Sequence, residues 1–226
     1  MRQSALEWIK SIAVALIIWI VVRSLLVEAF RIPSGSMENT LLIGDFLFVN
    51  KSLYGAEIPF SRKRLPAIRE PKRLDIVVFR HPQEEGTNVV KRVIGMPGDT
   101  LSMKNNVVLV NGRALDEPYV ISTDPVMDRE EPEFRAWQSK RVLTRNPAAY
   151  RPTLKNWGPI VIPPDSFMVM GDNRDNSLDS RYWGFLGRDR IRGRPLVIYY
   201  SYNRDGMLPL RFITAIRWGR MFTSPL

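Results

Sequence analysis

Ser36 stands in the run Pro33-Ser34-Gly35-Ser36-Met37, where a glycine lets the chain bend between two hydroxyls. A serine hydroxyl is a poor nucleophile unless a neighbouring base takes its proton. Histidine, the usual base, occurs once, as His81 between Arg80 and Pro82, and reads there as a surface or turn residue. Lysine can replace it only when neutral. At an ordinary pKa of ~10.4 about one amine in a few thousand is neutral at pH 7, and apolar burial can lower that pKa by up to ~3 to 5 units. Lys91 lies in Val89-Val90-Lys91-Arg92-Val93-Ile94, where period-two alternation places it on the face of Val89 and Val93 and turns Arg92 to the other. Taken singly, Ser36 fits a turn or cap and Lys91 an exposed strand lysine.

A third chemistry-bearing run is Gly171-Asp172-Asn173-Arg174-Asp175-Asn176-Ser177-Leu178-Asp179-Ser180-Arg181. Its alternating Asp175, Ser177 and Asp179 suggest a calcium loop. The helix-loop-helix template fails, however, with Ser180 where glycine is needed and Leu186 where the closing glutamate belongs. With no cysteine and one histidine, a thiol protease, a Cys-ligated zinc site, a two-histidine metallopeptidase and a disulfide scaffold are excluded. No metal and no organic cofactor is expected.

The elements that must position these residues are short. Phe46 to Val49, Ile76 to Phe79, Val89 to Ile94, Val107 to Val110, Ile160 to Ile162, Phe167 to Met170 and Leu196 to Tyr200 read as strands, and Asn111-Gly112 marks a tight turn. Ahead of them, Ile12 to Val22 is an unbroken run of apolar or small residues between Lys10 and Arg23. A spanning helix needs ~20 mostly apolar residues, so the expected anchor is Trp8 to Phe30, with Lys10 and Arg23 snorkelling to the interfaces. A cleaved signal sequence and a helix buried in a soluble core are the rivals. The fold expected is mainly β: a barrel-like or coiled antiparallel sheet with one N-terminal transmembrane helix and a small inserted lobe. Residues 1–30 form the anchor and 31–226 the β-rich domain, with the lobe at about 116–159. A basic loop is expected over 53–73, carrying Arg62, Lys63, Arg64, Arg69, Lys72 and Arg73 with Pro59, Pro66 and Pro71. The tail from Phe212 to Phe222 either rests at a membrane interface or packs on the sheet.

Taken together, the three runs resemble type I signal peptidases, in the family's order and over most of the chain. The departure is Glu38-Asn39, where many relatives have proline before the Thr-Leu pair. The resemblance implies a membrane-bound serine endopeptidase that cleaves signal peptides after small residues, with Ser36 as nucleophile and Lys91 as general base. It implies an oxyanion hole from the Ser36 N–H and the Ser34 hydroxyl, Ser177 holding the Lys91 amine, an Asp179–Arg181 ion pair, and Asp172 balancing Arg92. It places Phe30, Ile32, Met37, Leu41, Val89 and Val90 along shallow apolar substrate pockets. Its partners would be signal-peptide-bearing preproteins, membrane lipid and, through secretion, the translocon. The location implied is the outer face of the cytoplasmic membrane.

The 33 Lys+Arg against 23 Asp+Glu, a net charge of +10, fit anionic lipid on that reading. They also fit a basic nucleic-acid-binding β-barrel that uses the 62–73 arginines, against which the apolar N-terminal helix argues. A catalytically silent membrane scaffold and a Ser/Lys protease of another specificity complete the alternatives.

Overall fold

Short apolar runs broken by Gly, Asn and Pro form strands because alternate side chains can be buried on either face of a sheet. The computed structural model describes residues 2–58, 61, 63–124, 126, 128–205 and 210–225, the side chains of 2–6 and 24 excepted. The strands are β1 (Val27–Arg31), β2 (Asp45–Asn50), β3 (Ile76–Arg80), β4 (Asn88–Gly95), β5 (Thr100–Lys104), β6 (Val107–Val110), β7 (Arg113–Ala114), β8 (Trp157–Val161), β9 (Ser166–Met170), β10 (Leu186–Gly187) and β11 (Ile191–Ser201). Seven form one antiparallel sheet in the order β1-β2-β11-β3-β4-β9-β10, and four form a second, β7-β6-β5-β8. Register shifts in β11 between Pro195 and Val197 and between Ile198 and Tyr200, and in β4 between Val93 and Gly95, mark bulges. Bulges sharpen twist, and the larger sheet curls into an antiparallel half-barrel with β1 and β10 at its edges.

That sheet is buried on both faces. Ile76 and Val78 of β3 pack with Ile32, Met37, Leu41, Leu47, Val49 and Ile198. Val77 and Phe79 face the other way, onto Tyr54, Val93, Phe167, Val169, Leu186 and Ile191. A third cluster joins Leu101, Met103, Val108, Trp157 and Ile160 of the smaller sheet to Phe134, Val142 and Leu154. The last three belong to the segment between β7 and β8, which carries the helix α2 (Pro132–Gln138), opened by a proline in its first turn. The lobe therefore shares its core with the smaller sheet. The expected boundary at 159 runs into β8, which begins at Trp157.

The N-terminal helix α1 (Arg2–Val21) continues as a π-helical turn, Val22–Leu26. It stops there. Val27 to Phe30, assigned to the anchor from sequence, are strand instead, because β2 offers a partner edge from Val27↔Asn50 to Arg31↔Phe46. The helix lies outside the cores, with Trp8 71% and Ile17 60% exposed. Among the described residues no helix is long and apolar enough to cross a membrane.

The basic stretch is tied down where it is described. Arg69 pairs with Asp75 at 2.6 Å and Arg73 with Asp99 at 2.9 Å, and Arg64 donates to the Asp189 carbonyl at 3.1 Å. Pro59 and Arg62 lie outside the described residues. The tail runs back along the larger sheet: the Ile198 N–H donates to the Thr223 carbonyl, and Arg220 reaches Asp45 at 2.6 Å. Its backbone is anchored, but Trp218 and Phe222 remain exposed.

Candidate active site

Ser36 is the middle residue of a 3₁₀ turn, Gly35–Met37, that follows β1. The turn is pinned from below, since Met37 is buried among the β2, β3 and β11 side chains. It is pinned from beside by the Asn173 N–H, which donates to the Ser36 carbonyl at 3.1 Å. Lys91 comes from the middle of β4, opposite Val77 on β3, and is only 2% exposed. Both residues line one cavity of about 420 Å³, together with Ser34, Ser177, His81 and Val89. A second, smaller cavity of about 200 Å³ adjoins it, sharing Ser34, Ser36 and Val89, and is walled by Phe30, Ile32, Met37 and Val90. The sequence thus names residues that the fold brings to one place from β1, the turn, β4 and the third motif. Of the six residues expected along the substrate pockets, Leu41 is the exception: it is fully buried in the core under the turn and does not line either cavity.

Burial lowers the Lys91 amine from its ordinary 10.5 to about 8; the Asp179 charge opposes this shift and the Arg181 charge assists it. The shift fixes the sign of its stability effect. At pH 7 the amine is protonated both folded and unfolded, so the folded state carries a poorly solvated ammonium that costs on the order of 3 kcal/mol. That cost disappears as pH rises from about 8 to the unfolded value of ~10.4. Lys91→Met is therefore expected to be more stable than wild type by ~1 to 3 kcal/mol at pH 7, with the gain gone at pH 11. Urea midpoints at the two pH values check this.

Around the lysine lies a layer of satisfied charge. Asp179 is fully buried and accepts from the Gly171 N–H (3.0 Å), the Ser177 hydroxyl (2.7 Å) and the Arg181 guanidinium (2.8 and 2.9 Å). Burial alone would raise its carboxyl, but the Arg181 charge and hydrogen bonds, with Lys91 and the Gly171 N–H, hold it below the usual carboxylate range. Asp179 also caps the short helix α3 (Ser180–Trp183) by accepting the Arg181 N–H. On the opposite face of β4, Arg92 makes two bonds to Asp172, at 2.9 and 2.7 Å. The expected ion pairs are thus both present. Ser177 lines the lysine cavity, but its hydroxyl bond goes to Asp179.

Several contributors have no motif logic of their own. Thr40 donates to Asp172 at 2.6 Å and accepts from Arg92 at 3.2 Å, closing that pair into a triangle. Gly171 has no room for a side chain, because a Cβ there would overlap the Ser177 hydroxyl and the Ser36 carbonyl. His81 is a turn residue as expected: its Nδ1 accepts the Gln83 and Glu84 N–H groups, at 3.3 and 3.1 Å. The same ring also lines the lysine cavity, and burial, with help from Lys91 and Arg190, lowers its pKa. Asp175, a ligand on the calcium reading, instead accepts from the Ser122 hydroxyl and the Asp124 N–H. No acidic cluster suited to a metal occurs among the described residues.

A family described as signal peptidase, peptidase S26, matches residues 5–200. Signal peptidase I of Pseudomonas aeruginosa is 40% identical over 217 residues, covering 87% of this chain and 72% of that protein. Signal peptidase I of Aquifex aeolicus is 32% identical over 230 residues, with 87% and 85% covered. A crystal structure of a signal peptidase I from Enterococcus faecalis is 30% identical, with a TM-score of 0.38 over 57% of this chain and 98% of that one.

Proposed function

The chain belongs to the signal peptidase family, peptidase S26, and from that membership we propose that Ser36 and Lys91 are the catalytic pair with which it removes signal peptides from exported preproteins. The enzyme is a hydrolase, a serine endopeptidase of the signal peptidase I kind. The observation that carries the assignment of the pair is the buried Lys91, its pKa lowered to about 8, in the cavity that Ser36 also lines. At pH 7 such an amine is neutral in about a tenth of molecules, some hundreds of times more often than an ordinary lysine.

In the reaction, neutral Lys91 takes the Ser36 hydroxyl proton as the oxygen attacks the scissile carbonyl. The charge that develops on the carbonyl oxygen is met by the Ser36 N–H and the Ser34 hydroxyl, and one such donor is typically worth ~10²- to 10³-fold in rate. The Lys91 ammonium then gives its proton to the departing amine of the mature chain. The resulting acyl-enzyme is hydrolysed by a water whose proton the same lysine accepts. Asp179 and Arg181, with Ser177, hold the surroundings of the lysine fixed, and Asp172 with Arg92 does so on the other face of the strand.

Substrate would lie extended beside β4, its small side chains in the cavity walled by Phe30, Ile32, Met37, Val89 and Val90. At about 200 Å³ that cavity is smaller than the ~300 to 1,000 Å³ typical of ligand sites, which favours alanine-sized groups. The exposed apolar side chains from Trp8 to Val22 support a membrane-held α1, with the β domain on the outer face and lipid as a further partner, while no helix among the described residues is both long and apolar enough to cross a membrane. A docked translocon would bring the preprotein to the same surface.

The test is the pH dependence of kcat/KM for a preprotein with an Ala-x-Ala site. Lys91 is active when deprotonated, so the rate is expected to rise with pH through about 8 and then level. A rise below ~6.5, the ordinary histidine value from which burial lowers His81, would point to His81 as the base and sink the pair.

A further inference from the structure

Residues 117–124 cross the third motif, from Glu117 at Arg174 to Ser122 and Asp124 at Asp175. Ile121 forms a parallel bridge with Asn173; its N–H donates to the Asp172 carbonyl at 3.0 Å and its carbonyl accepts the Arg174 N–H at 3.1 Å. The Glu117 carboxylate bonds both terminal nitrogens of Arg174. The two side chains are only 8% and 1% exposed. The Tyr119 hydroxyl donates to the same carboxylate at 2.8 Å, and its ring lies 3.8 Å from the Arg92 guanidinium. Its carbonyl accepts the Asn39 side-chain amide at 3.0 Å.

Two of the residues gripped in this way, Asn173 and Arg92, are one step from the reacting groups, and Arg174 is tied to the charge layer around the lysine. Asn173 donates to the Ser36 carbonyl, Arg92 follows Lys91, and the Arg174 carbonyl accepts from Arg181 at 2.7 Å. Asn39 lies two residues beyond the nucleophile turn. We propose that residues 117–124 are a positioning strap, locked by the Glu117–Arg174 pair, that sets Ser36 against Lys91; the proposal rests on those two as the catalytic pair.

A buried ion pair is a weak source of stability, since desolvation offsets its attraction, so its strongest use is to fix geometry. Misplacement of reacting groups by about 1 Å can cost ~10²-fold in rate. The strap should therefore act on kcat rather than on substrate binding.

The experiment is steady-state cleavage of a signal-peptide substrate by the full chain carrying Glu117→Gln, with rates normalised to the folded fraction. Expected is a kcat about 10- to 100-fold lower with KM within about twofold of wild type. Arg174→Gln added to Glu117→Gln should lose no more than the worse single variant, because both break one lock. Asn39→Gly guards against a folding failure: the position is exposed and already at φ +86°, which glycine tolerates. It should lower kcat about 3- to 10-fold with Tm unchanged, by freeing the turn from Tyr119. A folded Glu117→Gln with kcat within twofold of wild type would overturn the strap, as would an unchanged kcat in Asn39→Gly if Glu117→Gln does not fold. Undiminished activity in Ser36→Ala would instead overturn the catalytic pair on which the strap depends.

Discussion

Ser36→Ala is expected to lower cleavage of an Ala-x-Ala preprotein by about 10⁴-fold or more, and Lys91→Ala to do the same. The two losses should not multiply in the double variant, because nucleophile and base serve one proton transfer and either absence removes it. Both changes should leave the fold intact. Ser36 lies in a turn whose hold comes from its carbonyl and from Met37, and Lys91 destabilises the folded state at neutral pH. The readout is single-turnover cleavage followed by product separation at pH 7 and pH 9. Activity that persists in either variant at both pH values would remove the pair from consideration and return the scaffold reading.

The largest stability effect is expected at Asp179. Asp179→Ala strands Arg181, which is 1% exposed, and unpairing a buried charge typically costs ~3 to 5 kcal/mol. The same change removes the charge that does most to hold the Lys91 pKa up against burial. Whatever activity survives should therefore have its rising limb moved to lower pH. Asp179 is held below the usual carboxylate range, so its stabilisation is complete above the unfolded value of ~3.9 and fades as pH falls through its folded pKa. The gap between wild type and variant in urea unfolding should be widest near neutrality and narrow in acid. An equal gap at pH 7 and at pH 2 would show that Asp179 acts by packing alone.

The sequence reads best where one residue's chemistry is tied to one periodicity. Lys91 on the Val89 and Val93 face and Val107–Val110 as a strand follow from alternation, whereas the gathering of Ser34, Ser36, Lys91 and Ser177 is legible only through the resemblance to signal peptidases. Other elements required knowledge of a partner. Val27–Arg31 is apolar enough to extend a helix, and only the free edge of β2 makes it a strand. Thr100–Lys104 did carry a local signal, with Leu101 and Met103 alternating against Ser102 and Lys104 before the Asn105-Asn106 turn. Leu41 illustrates the reverse limit: an apolar residue beside a nucleophile looks the same in sequence whether it faces substrate or core. Glu117 and Tyr119 are invisible for a deeper reason. Their partners, Arg174 and Arg92, are distant in the chain, and no local pattern marks a contact that only the finished fold creates.

The direct passage from helix to β1 has a consequence for which bond is cut. Between Leu26 and Ile32 the chain has no slack: Val27–Arg31 is paired with β2 along its whole length, and the Ile32 N–H donates to the Asp45 carbonyl. Five residues of strand separate the end of the helix from the start of the segment that carries the nucleophile by roughly 15 Å along the chain. Adding or deleting one residue would turn every β1 side chain to the wrong face. A bilayer-held α1, as proposed, would make the enzyme a ruler: it would read the distance of a peptide bond from the lipid surface as well as the size of the side chains before it, and a small residue at the wrong depth would pass uncut.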